Sequence, residues 1–336
     1  MTGMGRNGTS LVAASVAALG VNLGDRLMVP NSVINPIGFF EEDDIRRLDN
    51  EVAGLFGGHF TSLSVAPDGF WSSPGIRPYL DRAEALLRSK CAGAEFFGFK
   101  DPSISQVLPL WQEVFARCGL DDSYVLVIRN PLSVADSFKR MGELDPRKSH
   151  LIWLQRRVYT MSLVWDRPCV VVDYDCVLAD PVAETRRIAL TLGLPWDEQV
   201  EARAEIFSRT IVSERLRHTR HAPEDVAMDR AVPPIVARAY GLLDTAARDA
   251  SAVRDADFRQ KWLAIEAQFK DFNPAFNLFE EVDRALFLLT AWSLLVRICR
   301  RRMQVFFAAV RGDQSARDRL WFSLTKRLWL RNRDRL

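Results

Sequence analysis

Two short apolar runs have the pattern of buried β-strands. Residues 124–128 have the sequence YVLVI and residues 169–172 have the sequence CVVV, and both runs are uncharged and rich in β-branched residues. A strand buried on both faces gives a continuous apolar run, whereas a strand with one solvent-exposed face alternates apolar and polar residues. The two runs therefore predict two strands of a parallel sheet.

Segments with helical periodicity lie before, between and after these strands. We predict helices over residues 9–20, 43–55, 78–89, 108–117, 131–141, 150–165 and 181–192. A further apolar run over residues 96–99 predicts the end of another strand. Alternating strands and helices predict an α/β fold, namely a three-layer sandwich with a central parallel sheet flanked by helices. From about residue 199 the pattern predicts a mostly helical C-terminal region.

Composition excludes several classes of protein. The chain has 336 residues, of which 48% are hydrophobic and 26% charged, which is typical of a globular protein and not of a disordered one. Lys and Arg number 45 against 43 Asp and Glu, so the overall charge gives no reason to expect a nucleic-acid partner. The five cysteines have no metal-binding spacing, so we expect reduced thiols, a cytoplasmic protein and no metal.

The C-terminal end differs in charge from the rest of the chain. Residues 297–336 contain 12 Arg and Lys against 3 Asp, together with Trp321 and Trp329. The longest apolar stretch, residues 285–296, is too short to span a bilayer, which takes about 20 residues. Three hypotheses remain: helices packed on the core, peripheral docking on an anionic membrane surface, or contact with a protein partner.

A glycine-rich segment at the start of the chain has the spacing of a phosphate-binding loop. Gly3 and Gly8 are five residues apart and precede a predicted helix, whose N-terminus favours an anion. In a kinase or NTPase loop a lysine would stand at Thr9, and Arg6 is the candidate replacement for that cation. The alternative is a glycine-rich turn without a ligand.

A second polar cluster follows the strand at residues 124–128. Arg129 comes directly after the strand, Pro131 begins a helix, and Ser137 lies two turns along it. A guanidinium and a hydroxyl are suitable donors to a phosphate. Because the carboxyl ends of parallel strands meet at one edge of a sheet, we expect Gly3–Ser10, Arg129–Ser137 and Asp173–Asp175 to lie together. Taken singly, Arg129 and Ser137 could also be ordinary surface residues.

These clusters resemble the motifs of the 3′-phosphoadenylyl sulfate (PAPS)-dependent sulfotransferase family, a P-loop-like fold. The sequence RNGTSL over residues 6–11 resembles the family's 5′-phosphosulfate loop, and Arg129-Asn130-Pro131 through Ser137 resembles its 3′-phosphate motif. A third match lies at residues 172–181 and 192–195. Weaker resemblances occur at residues 35–41, 98–102 and 216–221, the last of which contains a basic cluster at residues 217–221. The resemblance covers residues 1–222, which we interpret as the nucleotide-binding and catalytic domain, followed by a helical region over residues 223–336.

The resemblance implies a sulfotransferase that moves a sulfuryl group from PAPS to an acceptor hydroxyl, of a glycan or glycoconjugate. The implied PAPS-binding residues are Arg6, Asn7, Gly8, Thr9, Ser10, Arg129 and Ser137. Arg6 and Lys100 would stabilise the transferred group, and Glu41 is the first candidate for the base. His59 and His218 are alternative bases. Lys100 could instead pair with Asp101, and Glu41 could be a helix N-terminal charge.

Two departures from the family pattern matter. Only Met1 and Thr2 precede Gly3, where the family has a full strand, and Asp136 adds a negative charge beside Ser137. Adjacent helical residues do not share a face, so we expect Asp136 to point away from the site. The alternatives to a sulfotransferase are a kinase or NTPase with a degenerate loop, and a non-catalytic nucleotide- or membrane-binding module.

Overall fold

The computed structural model describes residues 1–30, 35, 37–142, 144–212, 221–286 and 289. This part of the chain is mostly helical and contains a parallel sheet of two strands, β1 (Tyr124–Ile128) and β2 (Cys169–Asp173). The helices are α1 (Thr9–Ala18), α2 (Asp43–Gly54), α3 (Arg77–Lys90), α4 (Ile104–Cys118), α5 (Pro131–Met141), α6 (Pro146–Val164), α7 (Tyr174–Ala179), α8 (Pro181–Leu192), α9 (Glu198–Thr210), α10 (Asp225–Met228), α11 (Pro234–Arg248) and α12 (Ala256–Lys270). Residues 273–286 are also helical.

The two strands pair in parallel from Tyr124 opposite Cys169 to Ile128 opposite Asp173. All ten strand residues are buried. Alternate side chains enter two different hydrophobic clusters, one formed with α5, α6, α11 and α12 and the other with α1, α8 and α9. Helices therefore cover both faces of the strand pair, which explains why both strands are continuously apolar. A third cluster joins α2, α3 and α4.

The segment before the predicted phosphate-binding loop (residues 3–10, the phosphate loop) and the predicted strand end at residues 96–99 each form a single parallel bridge. Thr2 forms one parallel bridge with Leu126: its N–H donates to the Val125 carbonyl, and its carbonyl accepts from the Val127 N–H, both at 2.9 Å. Phe97 forms one parallel bridge with Asn22. One bridge is too few to form a strand, but each segment runs parallel to the segment with which it pairs.

The chain divides into two compact units, Met1–Asn277 and Leu278–Leu336. The helices α11 and α12, which follow residue 222, lie in the first unit, where α11 packs on β2 and α6 and α12 packs on α6. Among the described residues, no helix has the length and apolar composition to cross a membrane. The basic residues 297–336 lie outside the described part of the chain.

Candidate functional site

The phosphate loop is held in a conformation that requires glycine. Gly8 has φ of 80°, in the left-handed region, and Arg6 has φ of 69°. A Cβ atom added to Gly8 would lie 1.9 Å from Cδ2 of Tyr174, so the loop packs directly on the first residue of α7. The tight turn at residues 6–8 therefore has both a backbone and a packing reason to carry glycine at its end.

The loop leads straight into the N-terminus of α1. Gly8 is the N-cap residue and provides no side-chain capping bond, while Thr9 and Ser10 form the first turn. The amide groups of a first helical turn lack intrahelical acceptors and carry a partial positive charge. Without a side-chain cap, this helix end has the properties of an anion-binding site.

The two sequence motifs meet at this loop although they are far apart in the chain. The Arg6 Nε atom donates a hydrogen bond to Ser137 Oγ at 3.0 Å, across 131 positions of sequence. Arg129 Nη1 donates to the Arg6 carbonyl at 3.3 Å, and the Arg129 guanidinium lies over the Tyr174 ring at 4.5 Å. Arg6, Arg129 and Ser137 therefore form one cluster at the carboxyl ends of β1 and β2, as predicted.

Arg129 is buried among charged groups of both signs. Burial lowers the pKa of Arg129; Tyr174 and Asp175 oppose this effect, and the charges of Arg6 and Arg140 add to it. Only 6% of Arg129 is exposed, so its charge is largely removed from water. A bound phosphate or sulfate would offset this cost, because it supplies negative charge and acceptor oxygens where two guanidinium groups converge.

A second cluster forms on the Ser10 side of the loop. Lys100 Nζ lies 2.6 Å from Glu41 Oε1 and also donates to the Phe39 carbonyl at 3.0 Å and to Ser10 Oγ at 3.5 Å. Asn35 Nδ2 donates to the same Ser10 Oγ at 2.9 Å. Lys100 and Glu41 are both buried. The lysine therefore pairs with Glu41 and not with Asp101, and it connects the candidate base to the phosphate loop.

Glu41 and Glu42 have different structural roles. Glu42 is the N-cap of α2 and accepts hydrogen bonds from the Asp44 and Ile45 amides, both at 3.0 Å. Glu41 precedes this cap and points to Lys100 instead. The helix N-terminal role considered for Glu41 thus belongs to Glu42, which leaves the Glu41 carboxylate available within the site.

Buried carboxyl groups surround this part of the site. Burial, and then the charge of Glu41, raises the pKa of Asp101 to about 7. Asp49 accepts a hydrogen bond from Trp111 Nε1 at 2.7 Å, and burial followed by the charge of Asp101 raises its pKa well above the usual range. At the other edge, Asp173 caps α7, and burial followed by the charge of Asp175 raises its pKa to about 7.

Sequence reasoning missed the residues that support the end of β1. Trp153 Nε1 donates to the Arg129 carbonyl, and Arg157 Nη2 donates to the Val127 carbonyl, both at 3.0 Å. Asn7 Nδ2 donates to the same Val127 carbonyl at 3.3 Å. Burial, and then the charge of Arg156, lowers the pKa of Arg157 to about 9. Arg157 lies within a long helix, where no local sequence signal marks it as part of the site.

Asp136 points away from Ser137, as expected. It contacts His221 Nε2 at 2.8 Å, while Asn130 Nδ2 donates to the carbonyls of His221 and Ala222 at 3.3 and 3.0 Å. These bonds fix the segment that follows residue 220 against the start of α5. Of the predicted basic cluster at residues 217–221, only His221 lies within the described residues; the alternative base His218 lies outside them.

The alternative base His59 lies elsewhere. It is an exposed loop residue whose ring contacts the Thr61 hydroxyl at 3.1 Å. Among the described residues there is no group of three or more His, Cys, Asp or Glu able to hold a metal ion.

The structure brings the nine predicted site residues to one edge of the strand pair. They are Arg6, Asn7, Gly8, Thr9, Ser10, Glu41, Lys100, Arg129 and Ser137. The site is rich in cations and hydroxyl groups, with one carboxylate, and can bind an anion and accept a proton beside it. Neither protein-family models nor curated proteins show a match to the chain, so the family resemblance stays a prediction.

Proposed function

We propose that this protein is a PAPS-dependent sulfotransferase that moves a sulfuryl group to an acceptor hydroxyl. The observation that carries the proposal is the hydrogen bond from Arg6 to Ser137, together with the bond from Arg129 to the Arg6 carbonyl. Two motifs that resemble separate nucleotide-binding elements thereby form one site. The hydroxyl of a glycan or glycoconjugate is the proposed acceptor, on the basis of the family resemblance.

Each part of the nucleotide has a proposed partner of suitable charge. The backbone of residues 6–10, the N-terminus of α1 and the Arg6 guanidinium would hold the 5′-phosphosulfate. Arg129 and Ser137 would hold the 3′-phosphate. PAPS supplies an activated sulfuryl group. The donor set fits it because the Arg6 and Arg129 guanidinium groups and the Ser137 hydroxyl converge beside the loop.

Lys100 and Glu41 are suited to the transfer step. Lys100 contacts both Ser10 in the phosphate loop and the Glu41 carboxylate, so it can neutralise negative charge on either side. Glu41 would take the proton of the acceptor hydroxyl, which requires Lys100 to turn from the carboxylate to the sulfuryl oxygens. The pair thus combines charge stabilisation and proton removal at one position.

The proposal includes the finer architecture, a three-layer α/β sandwich whose catalytic part spans residues 1–222. It is supported by the two hydrophobic clusters on opposite faces of β1 and β2 and by the parallel bridges at Thr2 and Phe97. The Thr2 bridge adds an extended segment in parallel beside β1, and the Phe97 bridge to Asn22 is also parallel. The phosphate loop then follows an extended segment beside β1, the position at which α/β sheets bind ligands.

Transfer of radiolabel from PAPS to a panel of sugar and phenol hydroxyls tests the proposal. The wild-type protein should label at least one acceptor, and Glu41→Gln should reduce kcat by about 10²–10⁴-fold, the usual contribution of a general base. Binding of adenosine 3′,5′-bisphosphate should remain in this variant. Glu205→Gln, an exposed change on α9, is the matched control. Full turnover by Glu41→Gln would exclude Glu41 as the base.

A further inference from the structure

A cavity of about 210 Å³ lies between α4, α6 and α12, outside the cluster described above. Its apolar wall contains three aromatic rings and one proline: Phe56, Trp71, Tyr159 and Pro109. Ser105 and Gln106, in the first turn of α4, form part of its polar wall. Leu163 and Lys270, also in the lining, have exposed fractions of 38% and 49%, so the cavity reaches the surface on their side.

Two polar atoms in the cavity wall have no hydrogen-bond partner among the described residues. Ser105 is only 2% exposed, and its hydroxyl makes no such bond. The Gln106 amide nitrogen donates to the Ser64 carbonyl at 3.3 Å, but its oxygen has no donor. Buried polar groups are normally paired, and leaving one unpaired costs about 1–3 kcal/mol. Both groups can accept a hydrogen bond, which points to a ligand that donates one.

The charged groups of the wall argue against an anionic ligand. The Glu266 carboxylate lines the cavity and pairs with Lys270 at 2.5 Å. Arg156 also lines it, but its guanidinium donates to the carbonyls of His59 at 2.9 Å and Ser62 at 3.1 Å. The Arg156 charge is thus engaged with backbone carbonyls and the Glu266 charge with Lys270, so neither is directed at a charged ligand. A neutral molecule with hydroxyl groups meets these conditions best.

Size and shape favour a single ring. A dry cavity of about 150 Å³ is enough for benzene, so about 210 Å³ accommodates a six-membered ring with substituents. Aromatic side chains offer flat faces to such a ring. We propose that this cavity binds one neutral six-membered ring that carries hydroxyl groups. This inference is independent of the proposed sulfotransferase activity.

Ligand-observed NMR with the full chain tests this inference by comparing phenol with toluene, which has the same shape but a methyl group in place of the hydroxyl. Phenol should bind about 3- to 10-fold more tightly, as one added hydrogen bond predicts. Methyl β-D-glucopyranoside, in a parallel titration, distinguishes a sugar ring from a phenolic ring. Equal affinity for phenol and toluene, or no binding of any of the three rings, would overturn the inference.

Two serine variants locate the binding site. Ser105→Ala should remove the preference for phenol over toluene. Ser149→Ala is the matched control, because Ser149 is 0% exposed and its hydroxyl also has no partner among the described residues, yet it does not line the cavity. If Ser105→Ala does not fold, Gln106→Leu tests the other acceptor. A preference for phenol that survives loss of the wall acceptor would contradict the assignment to this cavity.

Discussion

The two halves of the candidate site hold their cations in different ways. On one side, Arg6 and Arg129 contact a hydroxyl, a backbone carbonyl and an aromatic ring, and both contribute positive charge to the same small volume. On the other side, Lys100 forms a buried ion pair with Glu41. The phosphate loop lies between these halves, with Arg6 facing one and Ser10 facing the other.

This difference suggests that the two halves of the site have different roles. The arginine half, Arg6 with Arg129, is positioned by a hydroxyl, a backbone carbonyl and an aromatic ring, and its two guanidinium groups converge, so it suits lasting binding of phosphate. In an ion pair such as Lys100–Glu41, either member can change partner. The lysine half, Lys100 with Glu41, therefore suits the step in which charge is redistributed and a proton is transferred. The predictions below test this distinction.

The largest effect is expected when the buried ion pair is broken. Lys100→Met leaves the Glu41 carboxylate buried without its cation and should lower the free energy of unfolding by about 3–5 kcal/mol. The double variant Lys100→Met/Glu41→Gln should recover much of this loss, because neither position of the pair then carries a charge. Chemical denaturation of both variants measures the difference. If the double variant is no more stable than Lys100→Met, the pair does not determine the stability of this half.

The second-largest effect is expected from a substitution in the phosphate loop, which lies between the two halves. Gly8→Ala places a Cβ on a residue with left-handed backbone conformation, which should lower the free energy of unfolding by about 1–2 kcal/mol. The same Cβ would clash with Tyr174, and this overpacking should lower it by about 1–3 kcal/mol more. We expect a lower melting temperature and weaker binding of adenosine 3′,5′-bisphosphate. Gly93→Ala is the control, since Gly93 also has positive φ but its added Cβ would meet no atom within 4 Å. Equal effects of the two changes would show that the contact with Tyr174 is unimportant.

Two adjacent residues of α5, Asp136 and Ser137, provide a test of the arginine half. Ser137→Ala removes the hydroxyl that accepts from Arg6 and should weaken bisphosphate binding by about 3- to 10-fold, the value of one hydrogen bond. Asp136→Ala alters the adjacent residue, which faces His221 instead. Calorimetric titration of both variants gives the comparison. A larger loss in Asp136→Ala would contradict the assignment of Ser137 to the site.

The last prediction concerns the pH dependence of stability on the lysine half. The raised pKa of Asp101, about 7 against the usual 3.8, means that the folded state retains a proton that the unfolded state releases. The resulting stability is fully present below about pH 4 and is lost as the pH rises through 7. Asp101→Asn should flatten the fall in unfolding free energy over this range, as measured by denaturation at several pH values. An unchanged slope would show that Asp101 is ionised throughout.

Much of the fold could be predicted because the decisive signals are local. The bounds of β1, α5 and α8 match the prediction exactly, since continuous apolar runs, a proline at the first helical position and a following glycine mark them. The extent of strand pairing near Thr2 and Phe97 could not be predicted. Whether a short extended segment becomes a strand depends on how many neighbouring residues pair with it, which local sequence does not encode.

The site could be predicted as a set of residues, but not as a network. The motifs identified Arg6, Arg129 and Ser137, yet the bond that joins Arg6 to Ser137 arises from tertiary contact. The supporting bonds from Trp153 and Arg157 to carbonyls at the end of β1 had no sequence signal, because both residues lie within the helical pattern of α6. Distinguishing Glu41 from Glu42 likewise required knowing where α2 begins.

A thermal-shift titration with adenosine 3′,5′-bisphosphate, ATP and AMP tests the central claim most directly. A ligand present at 100 times its Kd stabilises the native state by about 2.7 kcal/mol, so binding gives a measurable rise in melting temperature. The account predicts a shift with the bisphosphate that disappears in Arg129→Ala and persists in Arg209→Ala, a distant exposed arginine. A shift with ATP alone, or none with any nucleotide, would contradict it.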